Sequence, residues 1–422
     1  MARLCFWIQH VLTFGFREKS KSETEKFEKL LQMLQTFSPN VQCLPVVEGF
    51  LTRYLPTWDG QACASMIFSL ITCIRPSSFQ DLFSGILEPL HRLFFSSDIY
   101  FKSMCVTALT KLLHNQVMHI LVPPGESQDG RSRQTASGAA STNQHFSSSQ
   151  ASQDSSQEED SVGKGKGSVD SGPAGEASKR WPGGLDITST TTVDESVATE
   201  IILKLIKFLD TVVVVAMRME DDHYLLQHVT LDFLHLTSQI CQKYTVPVVC
   251  LPIQVIHRLL FSDCPATLAR LCNIINLFRE AFSKVPSTMA SSSMMMGEMS
   301  NGRRVFNSLL LDTLGMLWQG RMFSDRGQKY PSIFSFTLPR ELKPKVQENA
   351  LTVYLGPAFM GLAYKFLKET QPEGKKVHPA LIEDFKDQYL QFLERENFPE
   401  FKELVNKNIK NRKASVPAKV AS

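Results

Sequence analysis

The sequence predicts an all-α chain, a solenoid of stacked helical hairpins interrupted by a long disordered linker. Three observations lead there. Apolar residues recur every three or four positions on both sides of a Ser- and Gly-rich stretch, and nothing shows the alternation that a half-buried strand needs. The successive apolar faces are also broader than any single helix pair would cover, which suits hairpins stacked in an array. At 422 residues the chain is too long for one compact core. No strict internal repeat is visible, so the repeats are expected to be degenerate.

The first helical segment is expected over residues 1–121, with helices near 3–15, 22–36, 41–55, 60–74, 78–94 and 98–121. Ser22 with Glu25 and Ser77 with Gln80 have the spacing in which a hydroxyl and a carboxylate or amide reciprocally satisfy a helix's first donors. Pro39, Pro56, Pro76 and Pro89 act as stops or kinks. The N-terminus faintly resembles a signal peptide, but it runs into helical patterning without a small-residue cleavage site; a start inside a longer protein's helix fits better.

Over 122–193 the composition turns to Ser, Gly, Gln and Asp with hardly any aliphatic residues, so this stretch is expected to be a disordered linker. A second helical segment follows over 194–412. Val197, Ile201, Leu205, Phe208, Val212, Val215 and Met219 place one apolar face along a helix. The same spacing recurs through Leu226, Val229, Phe233, Leu236 and Ile240, and through Leu268, Leu271, Ile275, Phe278 and Phe282. Further helices are expected near 252–261, 302–318, 341–354, 357–369, 379–396 and 399–412, with a Met- and Ser-rich loop at 286–300 and a flexible basic tail at 413–422.

The charge balance, 45 Lys and Arg against 42 Asp and Glu, leaves a net +3, so composition does not announce a nucleic-acid binder and any DNA contact must come from a local patch. The nine cysteines lie scattered in apolar stretches and read as reduced core residues of a cytosolic or nuclear protein. No apolar run approaches the ~20 residues that cross a bilayer. The Gly163-Lys164-Gly165-Lys166-Gly167 stretch lacks the spacing and the Ser or Thr of a phosphate loop. His114 with His119 and His223 with His228 are five apart, so neither pair grips a metal from one helix face. No GxSxG elbow is present, and no local motif supplies a Cys or Ser with a base. Neither a catalytic residue, a metal nor a cofactor is therefore expected, and binding is what remains.

Specific blocks carry a resemblance. Pro56-Thr57-Trp58-Asp59-Gly60, Pro76-Ser77-Ser78-Phe79 and the run from Leu93 to Lys102 resemble the centromere protein I family in sequence and spacing. Beyond the linker, Ala216-Met217-Arg218-Met219-Glu220, Leu231-Asp232-Phe233, Tyr244, Pro247-Val248-Val249 and Leu271-Cys272 resemble the same family's next region. The match is to the carboxyl half of that family, which implies a fragment, a shortened isoform or an incomplete gene model. It further implies an α-solenoid of HEAT-like repeats in the inner kinetochore, a non-enzymatic scaffold in the nucleus that works with centromere proteins H, K and M and indirectly with centromeric chromatin. Without the resemblance, periodicity alone leaves a generic helical-repeat adaptor as the alternative.

Three groups of candidate site residues follow. Trp58, Tyr100, Phe101 and Lys102 are candidates for a partner interface, because aromatics beside a cation commonly anchor interfaces. The competing reading packs Phe101 in the core and Trp58 beneath Asp59, with Asp59 capping a helix. Lys402, Lys407, Lys410, Arg412 and Lys413, with Lys419, leave a basic end that would meet DNA phosphates, against the plainer reading of a solvated terminus. In the linker, Ser127, Ser149, Ser152 and Ser156 precede Gln, and Ser155 and Ser156 stand three before an acid, which marks candidate phosphorylation sites.

Overall fold

The computed structural model describes residues 2–15, 21–37, 45–121, 195–243, 253–284, 293–320, 351–370 and 382–409. These are all-α, and among the described residues there is no strand. The first segment supplies α1 (Ala2–Gly15), α2 (Lys21–Phe37), α3 (Pro45–Tyr54), α4 (Ala64–Ile71), α5 (Phe79–Leu82), α6 (Glu88–Ser96) and α7 (Ile99–Leu121). The second supplies α8 (Glu195–Met219), α9 (Tyr224–Lys243), α10 (Ile253–Leu260), α11 (Pro265–Lys284), α12 (Ser293–Leu314), α13 (Met360–Thr370), α14 (Ile382–Arg395) and α15 (Pro399–Asn408).

Residues Met1–Val122 and Asp194–Ser422 cluster as one compact unit. Within it α2 packs on α4, α4 on α7, α7 on both α8 and α9, α9 on α11, and α11 on α15. Neighbours in that order share one contiguous apolar core, from Leu12 and Leu31 through Leu112, Ile206, Phe233 and Phe278 to Phe401. This order is compatible with stacked hairpins. Central helix α7 is buried on nearly all sides, which is why its apolar residues do not confine themselves to a single stripe. Among the described residues no helix is long and apolar enough to cross a membrane.

Local chemistry explains where elements begin. Ser78, not Ser77, caps α5: its hydroxyl accepts the Asp81 amide at 3.1 Å, and the Asp81 carboxylate accepts both serine hydroxyls. Pro89 lies in the first turn of α6, just after a π-helical turn (Phe83–Leu87); the dihedrals stay right-handed helical across both junctions, so the expected helix 78–94 runs unbroken from Phe79 to Ser96 and widens only where proline withdraws a donor. Pro56 sits in a 3-10 turn (Leu55–Thr57) that ends α3. In the second segment, α12 begins at Ser293, inside the stretch expected to be a loop. Conversely, residues 351–356 form turns rather than the end of the expected helix 341–354, whose remainder lies outside the described residues. The linker 122–193, the tail from Lys410 onward and Pro39 also lie outside them.

Candidate functional site

Three of the blocks that carry the family resemblance meet, those around Trp58, Phe101 and Glu220, while Tyr244 and Pro247-Val248-Val249 lie outside the described residues. Trp58 is buried, donates its indole N–H to the Ala62 carbonyl at 2.8 Å, and packs against Phe68 and Phe101 with ring centroids 5.7 and 5.8 Å away. Phe50 and Tyr54 of α3 extend the stack, and burial pushes the Tyr54 phenol up to about 12. Asp59 turns the chain by accepting the Gln61 and Ala62 amides, both at 2.9 Å, and these bonds hold its carboxyl below the usual carboxylate range. Gly60 then has φ 81°, and a Cβ there would stand 3.2 Å from the Phe101 ring, so only glycine fits the turn without strain.

Lys102, next to Phe101, is only 2% exposed. Its ammonium pairs with Glu220, just beyond the C-terminus of α8. Since Lys102 lies in the first turn of α7, the two helices run antiparallel, and this ion pair bolts the first segment to the turn between α8 and α9. That turn is itself a hub. Arg258 of α10 pairs with Asp222 and donates to the Met217 carbonyl at 3.3 Å, while Arg218 donates to Gln254 at 3.0 Å. Gln227 donates to the Asp222 carbonyl at 2.6 Å and accepts the Ser262 hydroxyl at 2.8 Å. Asp221 and Asp222 hold φ 44° and 58°, a left-handed conformation that short polar residues tolerate. One helix further along, Asp232 of α9 pairs with Arg270 of α11.

The candidate interface residues are thus divided by the fold. Trp58, Phe101 and Lys102 are interior parts of the joint, and Tyr100 alone of the four faces solvent, 68% exposed. Of the basic residues, Lys402 pairs with Glu394, and Lys407 reaches Glu280 at 3.2 Å and Glu403 at 3.6 Å. Lys410, Arg412, Lys413 and Lys419 lie outside the described residues, as do Ser127, Ser149, Ser152, Ser155 and Ser156.

Cys105 sits wholly in the core, where burial pushes its thiol up to about 12 and suppresses the nucleophilic thiolate. Burial likewise pushes Asp210 on α8 up to about 7. Among the described residues no cluster of three His, Cys, Asp or Glu is placed to hold a metal ion. Two further features involve residues outside the resemblance-bearing blocks or left unassigned by their spacing. One is an aromatic row, Phe79, Phe83, Phe208 and His91, that crosses from α5 to α8 with centroid spacings of 5.9–6.1 Å. The other is an exposed apolar face on α13, whose i, i+4, i+7 spacing is visible in the sequence but cannot be told from a core-facing stripe.

Comparison with known proteins places these blocks in context. Residues 1–123 match the Mis6 (CENP-I) family model. Centromere protein I of Gallus gallus is 24% identical over 401 residues, covering 93% of this chain and 46% of that protein. The Mus musculus centromere protein I is 25% identical over 366 residues, covering 86% of this chain and 41% of its own length. For the Rattus norvegicus protein the figures are 25% over 417 residues, 94% and 46%. The chain therefore spans less than half the length of the curated relatives it matches. The resemblance read from Trp58 through Cys272 and these matches agree, and the chain is similar in sequence to the carboxyl part of centromere protein I from three vertebrates.

Proposed function

We propose that the chain is a structural subunit of the inner kinetochore in the nucleus, binding other centromere proteins and helping to assemble the constitutive centromere-associated complex for chromosome segregation. It acts by presenting surfaces and catalyses nothing. The observation that carries this reading is the interior joint that three resemblance-bearing blocks form: Trp58, Gly60, Phe101, Lys102 and Glu220 set how the helical segments pack, as a scaffold requires. Centromere proteins H, K and M are the partners implied by the resemblance. Contact of the basic tail with centromeric DNA, and phosphorylation of the linker serines, belong to the same proposal.

Expression of the fluorescently tagged chain in dividing cells tests it. The expected result is discrete centromeric foci and co-purification of centromere proteins H, K and M. A diffuse signal with none of the three recovered would overturn the reading and leave a generic helical adaptor as the better account.

A further inference from the structure

Helix α13 carries large apolar side chains that the described chain leaves uncovered. Met360, Tyr364 and Leu367 recur at i, i+4 and i+7 and so line one face, with 63%, 69% and 42% of their surfaces exposed. The opposite face is already occupied: Phe366 is buried against Phe385, Tyr389 and Phe392 of α14, with ring centroids 5.0, 5.1 and 5.3 Å away. The helix is apolar on two faces and satisfies one of them within the chain.

A second observation comes from Gly361. It stands beside Met360, has no positive φ, and a Cβ built there meets nothing within 4 Å. A glycine within an exposed helix is destabilising relative to alanine, and here neither backbone conformation nor crowding within the chain calls for one. Its effect is to let a second helix approach the α13 backbone closely, since the distance between packed helices depends on the side chains at their contact.

Charge narrows the occupant. Lys365 is held by both carboxylate oxygens of Glu396 at 2.7 and 2.8 Å, and Glu369 lies 3.8 Å from Arg395. Lys368, on the same side of the helix as Gly361, makes no ion pair among the described residues. Among the described residues the one unpaired charge on this rim is therefore a cation, which calls for an acidic edge on whatever covers the apolar face. We propose that this face of α13 seats an amphipathic α-helix of another protein, apolar along its seam and acidic on the edge that meets Lys368. The proposal rests on the scaffold reading and gives it a docking site.

The full chain is titrated with a fluorescent synthetic helix carrying Leu at the a and d positions and Glu at e and g, with a Lys-for-Glu counterpart and a proline-broken version as controls. The acidic helix is expected to bind at least about tenfold more tightly than either control, as a row of aromatic and aliphatic anchors implies. Tyr364→Ser, Met360→Ser and Gly361→Leu should each weaken it by about tenfold. These side chains are exposed, so the thermal melt of each variant should stay close to that of the parent chain. Lys368→Glu should shift the preference to the basic helix. Equal binding by parent and variants, no binding of either helix, or sedimentation showing a dimer that Tyr364→Ser dissociates would each overturn the proposal. Centromeric foci without helix binding overturn the α13 site alone, whereas helix binding without foci overturns the kinetochore reading alone.

Discussion

Lys102 is the side chain at which burial and charge conflict most sharply. A cation 2% exposed is tolerated only with a partner, and Glu220, reached across 118 residues of sequence, provides it while keeping part of its own surface in water. The two partners are therefore unequal. Glu220→Gln strands a buried ammonium and is expected to cost about 3–5 kcal/mol. Lys102→Met keeps the long apolar stem and leaves a carboxylate that water can reach, so it should cost distinctly less. Urea denaturation of both variants checks the order, and an equal or reversed order contradicts the assigned burial. The competing readings of Trp58 and Phe101 were legible from residue type, because large aromatics beside a turn pack inward. The partner of Lys102 was not, since an ion pair between segments leaves no local mark in either.

At the scale of elements, periodicity identified α8, α9 and α11 because each buries a broad face on a neighbour. It located boundaries less well. The serine that caps α5 is Ser78 because Asp81, shorter than the Gln80 expected to serve, reaches back to the hydroxyl. Residues 351–356 have helical composition but form turns, with the Val353 amide tied to the Leu317 carbonyl at 2.9 Å, a tertiary bond that local propensity cannot foresee. The α13 face was hidden for a related reason: a sequence shows which residues share a face, not whether another element covers it. On α15 the pairs that Lys407 makes with Glu280 and Glu403 are exposed to solvent, so Lys407 and the basic residues that follow it are the ones proposed to contact DNA. If they do, replacing Lys407, Lys410, Arg412 and Lys413 with Gln should weaken binding equally on two unrelated duplexes and flatten its salt dependence, because each lost phosphate contact removes counterion release. Fluorescence anisotropy across a salt series measures this, and an unchanged slope excludes the tail as a DNA contact.

At the scale of the whole molecule, the two helical segments meet through α7, which packs on both α8 and α9. The ion pair between Lys102 and Glu220 fixes α7 and α8 as antiparallel neighbours. Their lengths of 23 and 25 residues correspond to about 35–37 Å each, so the end of α7 and the start of α8 fall close together. A short connector would then suffice where the chain has a long one. Deleting 124–190 is expected to leave the helical signal per molecule unchanged in circular dichroism, and to preserve one thermal transition for both segments. The shorter connector should also stabilise the fold by up to about 2 kcal/mol through reduced loop-closure entropy. Loss of a large part of the helicity, or two separate transitions, would show that the segments do not form the single joined scaffold on which the functional reading depends.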